Sequence, residues 1–297
     1  MTDESTWPTE RFEEHRPRLR GVAYRMLGSL SEADDAVQEA WLRLSRSDTS
    51  GVDNLGGWLT TVVARVCLNM LRTRKSRREE PLDVRLPDPI ISPGDGGDPE
   101  QEALLADSVG LALLVVLDTL TPSERLAFVL HDVFAVPFDE IAPMIERSPA
   151  AARQLASRAR RRVRGAAPAP DPDLTRQREV VDAYFAAVRD GDFDALVAVL
   201  DPEVVLRSDG GTARASRTVV VRGAREVAAQ AVKARRLAPF VRPALINGTA
   251  GVVATARGRA FAVMAFTVAR GRIVAIEVLS DPERLAHLDL AAFDDSP

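Results

Sequence analysis

A chain of 297 residues is long enough for about two domains at the usual size of about 150 residues each, or three small ones. Apolar residues at 46% and charged ones at 28% exclude a largely disordered chain, no apolar run approaches the roughly 20 residues of a membrane span, and the single cysteine, Cys67, excludes a disulfide framework or a cysteine-rich zinc site. The net charge of −4 would argue against a polyanionic partner on average, but the charges are blocked: arginines and a lysine crowd 72–78, arginines recur over 153–164, and acids dominate 79–102 between them.

Residues 1–10 carry acids and a proline where a secretion signal needs basic and then apolar residues, so the expected compartment is the cytoplasm, with no membrane partner. From Thr9 to Arg78 the spacing predicts an all-helical bundle. Leu19, Val22, Ala23, Met26 and Leu27 recur at three and four, and Ser31 with Asp34 offers a capping-box start. Ala36, Val37, Ala40, Trp41 and Leu44 form the next stripe, and Trp58, Val62, Val66 and Met70 a third. On the second of these helices Asp34, Asp35, Gln38 and Glu39 fall opposite the apolar stripe, a face that suits a basic or polar protein surface as well as plain solvation. The helix from Trp58 runs into Arg72, Arg74, Lys75, Arg77 and Arg78, which suits phosphate contact, whereas Trp58 itself reads first as core.

From Glu79 to about Pro99 five prolines and three glycines predict an acidic, flexible linker that no helix or central strand would tolerate, and its acids are placed to mask the basic faces. Helix resumes over 104–165. Within it Phe138 to Ile145 is a short amphipathic helix that Pro143 should shorten or bend. Glu146 to Ser148 is a tight turn, and Pro149 to Arg164 a basic helix with Ser148 as its N-cap. A short helix, a tight turn and a basic helix make a helix-turn-helix. Its small Ala150, Ala151 and Ala152 would allow close approach to a major groove, with Arg153, Gln154, Ser157, Arg158 and Arg161 as donors for bases and phosphates.

A second, stiffer linker over 166–173 leads to a region where the period moves from 3.6 towards 2. Helices are predicted at Arg178–Arg189 and Arg222–Ala234, and strands at Val241–Ile246, Gly251–Arg257, Ala260–Ala269 and Arg272–Ser280. Turn signals at Asn247-Gly248, Gly258 and Arg270-Gly271 separate the strands, an α+β pattern. Candidates for chemistry there are thin: Tyr184 and His287 are its only tyrosine and histidine, and Asp209 lies in a glycine loop. His15 and His131 read as packing or surface residues. No catalytic residue, metal or cofactor is expected, and the chain is read as a binding protein rather than an enzyme.

Three stretches carry a family resemblance: Ser31 to Leu42, Gly57 to Arg65, and Phe138 to Ala142 with Ala159 to Val163. They resemble regions 2 and 4 of the extracytoplasmic-function (ECF) sigma factors, the promoter-recognition subunits of bacterial RNA polymerase. The resemblance implies that Asp34, Asp35, Gln38, Glu39 and Leu42 contact the polymerase. It implies that Trp58, Arg65, Arg72, Arg74, Lys75, Arg77 and Arg78 melt and read the minus-10 element. It also implies that the helix after Ser148, through Ala151, Arg153, Gln154, Ser157, Arg158 and Arg161, reads the minus-35 element. Asn69 stands where the family commonly has aspartate, and its role stays open.

The region after Leu174 looks like a SnoaL or NTF2-like cone, an extension found in the SigJ-type group of actinobacterial sigma factors. Leu86-Pro87-Asp88-Pro89, Asp209-Gly210-Gly211 and Ser280 to Leu285 are similar to that group's linker, loop and C-terminal motifs. The expectation is therefore a multi-domain chain: sigma region 2 over 9–78, a linker over 79–103, sigma region 4 over 104–165, a linker over 166–173, and an α+β SnoaL-like domain over 174–297 that regulates the factor in cis. Core RNA polymerase, promoter DNA and an intramolecular contact of the last domain are the expected partners, with an unidentified small-molecule ligand left open. A polymerase-independent helix-turn-helix regulator, and a cyclase or isomerase with a DNA-binding appendage, are the alternatives.

Overall fold

The structure is a computed structural model that describes residues 7–47, 52, 54–77, 85–93, 110–166, 169–212 and 214–293. They fall into two compact units, one drawn from 1–80, 102–107 and 116–166, the other from 81–101, 108–115 and 167–297. Among the described residues no helix is long and apolar enough to cross a membrane.

The first unit is all-helical. Helices α1 (Trp7–Leu27), α2 (Leu30–Leu44) and α3 (Leu55–Arg77) pack through Leu19, Val22, Ala23 and Met26, then Ala33, Ala36 and Ala40, then Leu59, Val63 and Cys67, all fully buried. Two details differ from the sequence reading. The N-cap of α2 is Ser29, two residues before Ser31, and it caps without a side-chain bond. In α3 the buried stripe runs through Leu59, Val63, Cys67 and Leu71, so Trp58, Val62 and Met70 sit on its half-buried border, because Gly56 and Gly57 are already helical and rotate the face.

Helix α4 (Leu111–Asp118) begins among second-unit residues and ends in the first. Helix α5 (Pro122–Phe128) starts in a full capping box, Thr121 with Glu124, and runs into a π-helical turn over Val129–Val133. Short α6 (Phe138–Ile141) tightens into a 3-10 turn at Ala142–Met144, the shortening expected of Pro143, and α7 (Pro149–Ala166) follows. Within this unit Arg125 is buried, and its Nε donates to the Arg25 carbonyl at 3.0 Å. Phe134 lies under the guanidinium groups of Arg18 and Arg25.

The second unit is α+β. Helices α8 (Leu174–Asp190), α9 (Phe193–Val199) and α10 (Ala224–Lys233) cover one face of a seven-stranded sheet ordered β1-β4-β5-β6-β7-β2-β3. Its strands are β1 (Ile91–Ser92), β2 (Leu200–Asp209), β3 (Val219–Arg222), β4 (Val241–Ile246), β5 (Thr249–Ala256), β6 (Arg259–Ala269) and β7 (Arg272–Leu279), and the short helix α11 (Pro282–Leu285) follows. The last four strands match the predicted ones. Their turns, Asn247-Gly248, Arg257-Gly258 and Arg270-Gly271, have positive φ at both residues, the primed geometry that suits the twist of a hairpin. The core stacks Tyr184, Phe185 and Phe266 edge to face with Val227, Ile273 and Ile276.

Three features correct the sequence reading. The strands β2 and β3 lie where none was expected, and β2 pairs parallel to β7 with a register shift between Leu200 and Val205. The stretch expected to be free linker is folded at its centre: Leu86, Ile90 and Ile91 are buried, and β1 pairs with β4 at the sheet edge. An edge position tolerates the neighbouring prolines because only one side of the strand needs its hydrogen bonds. The second linker is also tied down, since the Asp171 carboxylate accepts from the Arg270 and Gly271 amides at 2.9 Å each. The acids Glu79, Glu80, Asp83, Asp95, Asp98, Glu100 and Glu102 lie outside the described residues.

Candidate nucleic-acid interface

The recognition helix candidate, α7, is amphipathic in a simple way. Ala152, Ala156 and Ala159 are fully buried and pack the helix closely on its unit, so Ala152 is a packing residue and not a point of approach to a groove. Ser148 caps it, its Oγ accepting from the Ala151 amide at 3.2 Å. Glu146 in the turn adopts φ 56°, which reverses the chain between α6 and α7. Ser148, Arg153, Gln154, Ser157, Arg158 and Arg161 are exposed, and Ala151 is half-buried.

The exposed arginines are not equivalent. Arg158 and Arg162 bind the Glu124 carboxylate at 3.2 and 3.4 Å, and Arg160 binds Asp132. Burial would raise the Glu124 pKa, but hydrogen bonds from the Thr121 hydroxyl and amide, together with Arg158 and Arg162, outweigh it and hold the carboxyl below its ordinary range. Arg158 is thus partly committed to the fold. Arg153 lies over the Phe138 ring at 5.4 Å, and Phe138 stacks on His131 at 3.8 Å. The ring restricts the rotamers of the Arg153 side chain, which stays exposed to solvent.

On α3, Arg65 and Arg72 are exposed, and so is Asn69. Arg74 is tied into the bundle by Glu32 and by the Leu27 carbonyl at 3.3 Å, so its guanidinium already has internal partners. For Lys75 and Arg77 only the helical backbone is described, and Arg78 lies outside the described residues. On α2, Asp34, Asp35, Gln38 and Leu42 are exposed and Glu39 is half-buried. Leu42, at 38% exposure, is an apolar residue offered to solvent beside carboxylates. Asp34 pairs with Arg20 at 2.7 Å and Glu39 with Arg43 at 2.9 Å, leaving Asp35, Gln38 and Leu42 as the open part of the face.

In the second unit three motifs far apart in sequence meet at one side chain that the sequence reading did not single out. Arg284 donates through Nη1 to Asp209 Oδ2 at 2.7 Å, through Nε to Asp88 Oδ1 at 3.0 Å, and through Nη2 to the Leu86 carbonyl at 2.7 Å. The same Asp209 Oδ2 accepts from the Leu86 amide at 2.9 Å, and Asp209 Oδ1 accepts from the Gly211 amide at 3.0 Å. Both glycines of the loop are required. A side chain at Gly210 would meet the Arg214 carbonyl, and one at Gly211, whose φ is +63°, would meet the Asp281 carboxylate. Pro87 and Pro89 flank the clasped Asp88. The signal that could have found Arg284 was the Ser280–Leu285 motif itself, which holds one arginine opposite the acids of the other two motifs.

The residues considered for proton transfer are occupied otherwise. Tyr184 is buried in the aromatic core, which raises its pKa above its ordinary value. His287 Nδ1 bonds the Glu283 carbonyl, and Asp209 is the centre of the clasp. No cluster of potential metal ligands is present among the described residues.

Comparison with known proteins assigns two stretches of the chain to described families. Residues 11–77 match the family described as Sigma-70 region 2, and residues 110–163 match Sigma-70, region 4. The chain is 40% identical over 288 residues to the ECF RNA polymerase sigma factor SigJ of Mycobacterium tuberculosis, covering 92% of this chain and 91% of that one. It is 35% identical over 272 residues to the probable ECF RNA polymerase sigma factor SigI of the same species, covering 91% and 92%. The crystal structure of M. tuberculosis SigJ superposes with a TM-score of 0.77 at 36% identity, covering 95% of this chain and 99% of that one.

Proposed function

This chain belongs to the ECF RNA polymerase sigma factors, which direct promoter-specific transcription initiation, and from that premise we propose that its own C-terminal domain regulates it by holding the linker between the two sigma regions. The observation that carries the reading is the clasp of Arg284 on Asp88, Leu86 and Asp209. A flexible tether lets two DNA-binding parts adopt many separations. Fixing its centre to a folded domain restricts the separations the parts can reach.

In this reading the working parts are 9–78, 104–165 and 174–297. Asp35, Gln38 and Leu42, with Asp34 and Glu39 beside them, dock on the polymerase. Arg65 and Arg72, with Trp58 at the border of the core, face the minus-10 element. Arg153, Gln154, Ser157 and Arg161 read the minus-35 element, with Arg158 in a supporting role. The factor acts in the cytoplasm, and its third domain binds and positions rather than catalyses, a reading supported by the commitment of Asp209 to the clasp and of Tyr184 to the core. A small-molecule ligand would find room in a cavity of about 490 Å³ bordered by Arg178, Asp182, Val252 and Phe293.

Run-off transcription with purified core polymerase tests the regulatory step. The full chain and its Arg284→Ala variant are compared on promoter DNA. A changed yield or a changed tolerance of promoter spacing is expected. Identical yields at every spacing would remove the clasp from regulation.

A further inference from the structure

The third domain carries a cationic surface that the reading above leaves unused. From Val227 to Ile276 the chain contains Lys233, Arg235, Arg236, Arg242, Arg257, Arg259, Arg270 and Arg272 and no acidic residue, in a protein whose net charge is −4. The fold gathers part of this stretch at one end of the sheet. The 3-10 segment Arg235–Phe240 leads into β4, whose Val241 pairs with Ala254, while Ala256 pairs with Arg259 across the β5–β6 turn. Phe240 meets Phe261 of β6 edge to face at 6.4 Å, which joins the segment to the hairpin.

At this end Arg235, Arg236, Arg257 and Arg259 are exposed, and so are Leu237 at 42% and Phe240 at 45%. Among the described residues none of these four arginines makes an ion pair. The hairpin at the other end of β6 is a contrast, because there Asp171 backs the Arg270-Gly271 turn. Arg257 also occupies a left-handed position, φ 53°, that Asn or Gly fills more comfortably.

We propose that this end of the C-terminal domain, Arg257 and Arg259 at the tip with Arg235, Arg236 and Phe240 beside them, is a sequence-independent contact for duplex DNA. Along 227–276 the guanidinium groups have no acid interspersed, and such a run complements a continuous polyanion; Arg235 Nη1 lies beside Gly191, which Asp190 and Asp192 flank, so Arg257 and Arg259 carry most of the contact. Gly258 places no side chain between the two tip arginines, which leaves both guanidinium groups clear to reach phosphates. An acidic protein and an anionic lipid surface are the competing partners.

The test is binding of the full chain to short duplex DNA of mixed sequence without promoter elements, followed against salt and needing no polymerase. The double variant Arg257→Gly/Arg259→Ser removes two cations while giving the turn a residue that favours positive φ, so the folded state is kept, as its Tm will report. Its affinity should fall and its log K against log salt slope should flatten by about 1.8, the value for two lost phosphate contacts. Arg235→Gln/Arg236→Gln should act alike. Unchanged affinity and slope would overturn the proposal. So would unchanged DNA binding accompanied by lost binding to phosphatidylglycerol vesicles or to core polymerase, which would assign the patch to lipid or to protein. An Arg153→Ala/Gln154→Ala variant separates this result from the minus-35 reading, since it should lower preference for promoter DNA and leave the response to the tip variants intact.

Discussion

Arg284 and Asp88 are 196 positions apart in the chain, yet the Arg284 Nε lies 3.0 Å from the Asp88 carboxylate, with Asp209 on the other side of the same guanidinium. One planar cation with a fixed fork of donors thereby holds a linker, a loop and a terminal helix together, a geometry that a lysine ammonium does not reproduce.

Removing that cation leaves Asp209 largely buried without its counter-charge. Arg284→Ala is expected to destabilise the second unit by about 3 kcal/mol, and Arg284→Lys by less, because charge survives while the fork is lost. Urea unfolding of the two variants beside the parent chain measures the difference, and equal midpoints would show the clasp to be energetically idle.

Glu277 supplies a pH dependence. Its side chain is fully buried, and burial pushes its pKa up to about 7 despite Arg207 Nη1 at 3.1 Å. A carboxyl whose folded pKa is raised favours the fold in its protonated form. That contribution is complete below the unfolded value of about 4.5 and is lost as pH rises through about 7, a span worth about 3 kcal/mol. Thermal unfolding between pH 5 and pH 8 is expected to show a falling Tm that Glu277→Gln flattens.

Cys67 is expected to be chemically silent in the folded chain. It is fully buried, and burial pushes the thiol pKa up to about 12, so almost no thiolate exists at neutral pH. Reaction with a disulfide reagent should appear only at the rate of unfolding, and rapid labelling of the native protein would contradict this.

The stacked column of His131, Phe138 and Arg153 predicts how minus-35 recognition fails. On the function proposed above, Arg153→Ala should cost about 1–3 kcal/mol of discrimination at the minus-35 bases assigned to it. Phe138→Leu should lose part of that discrimination with Arg153 still present, because the ring no longer orders the guanidinium. Competition binding with single-base promoter variants reads both.

On the polymerase side, Asp35→Arg and Leu42→Ala should weaken capture of core enzyme, while Asp34→Asn should act less, because Asp34 is already paired with Arg20. Titration of labelled core polymerase with each variant gives the order.

The sequence by itself determined whatever depends on neighbours three, four or two residues away. The apolar stripes of α1 and α2, the cap at Ser148, the shortening at Pro143 and the three hairpin turns are local consequences of side-chain period, hydrogen-bonding groups and permitted φ. The motifs of the linker, loop and C-terminus were legible too, but only as separate strings. Tertiary structure alone decided that they meet at Arg284, that β2 runs parallel to β7, that the centre of a proline-rich linker forms an edge strand, and that Arg74 and Arg158 serve internal carboxylates while Arg153 lies over Phe138. Those outcomes come from pairings across tens to hundreds of residues. Such pairings are selected by burial and charge neutralisation in the folded state and leave no period in the chain.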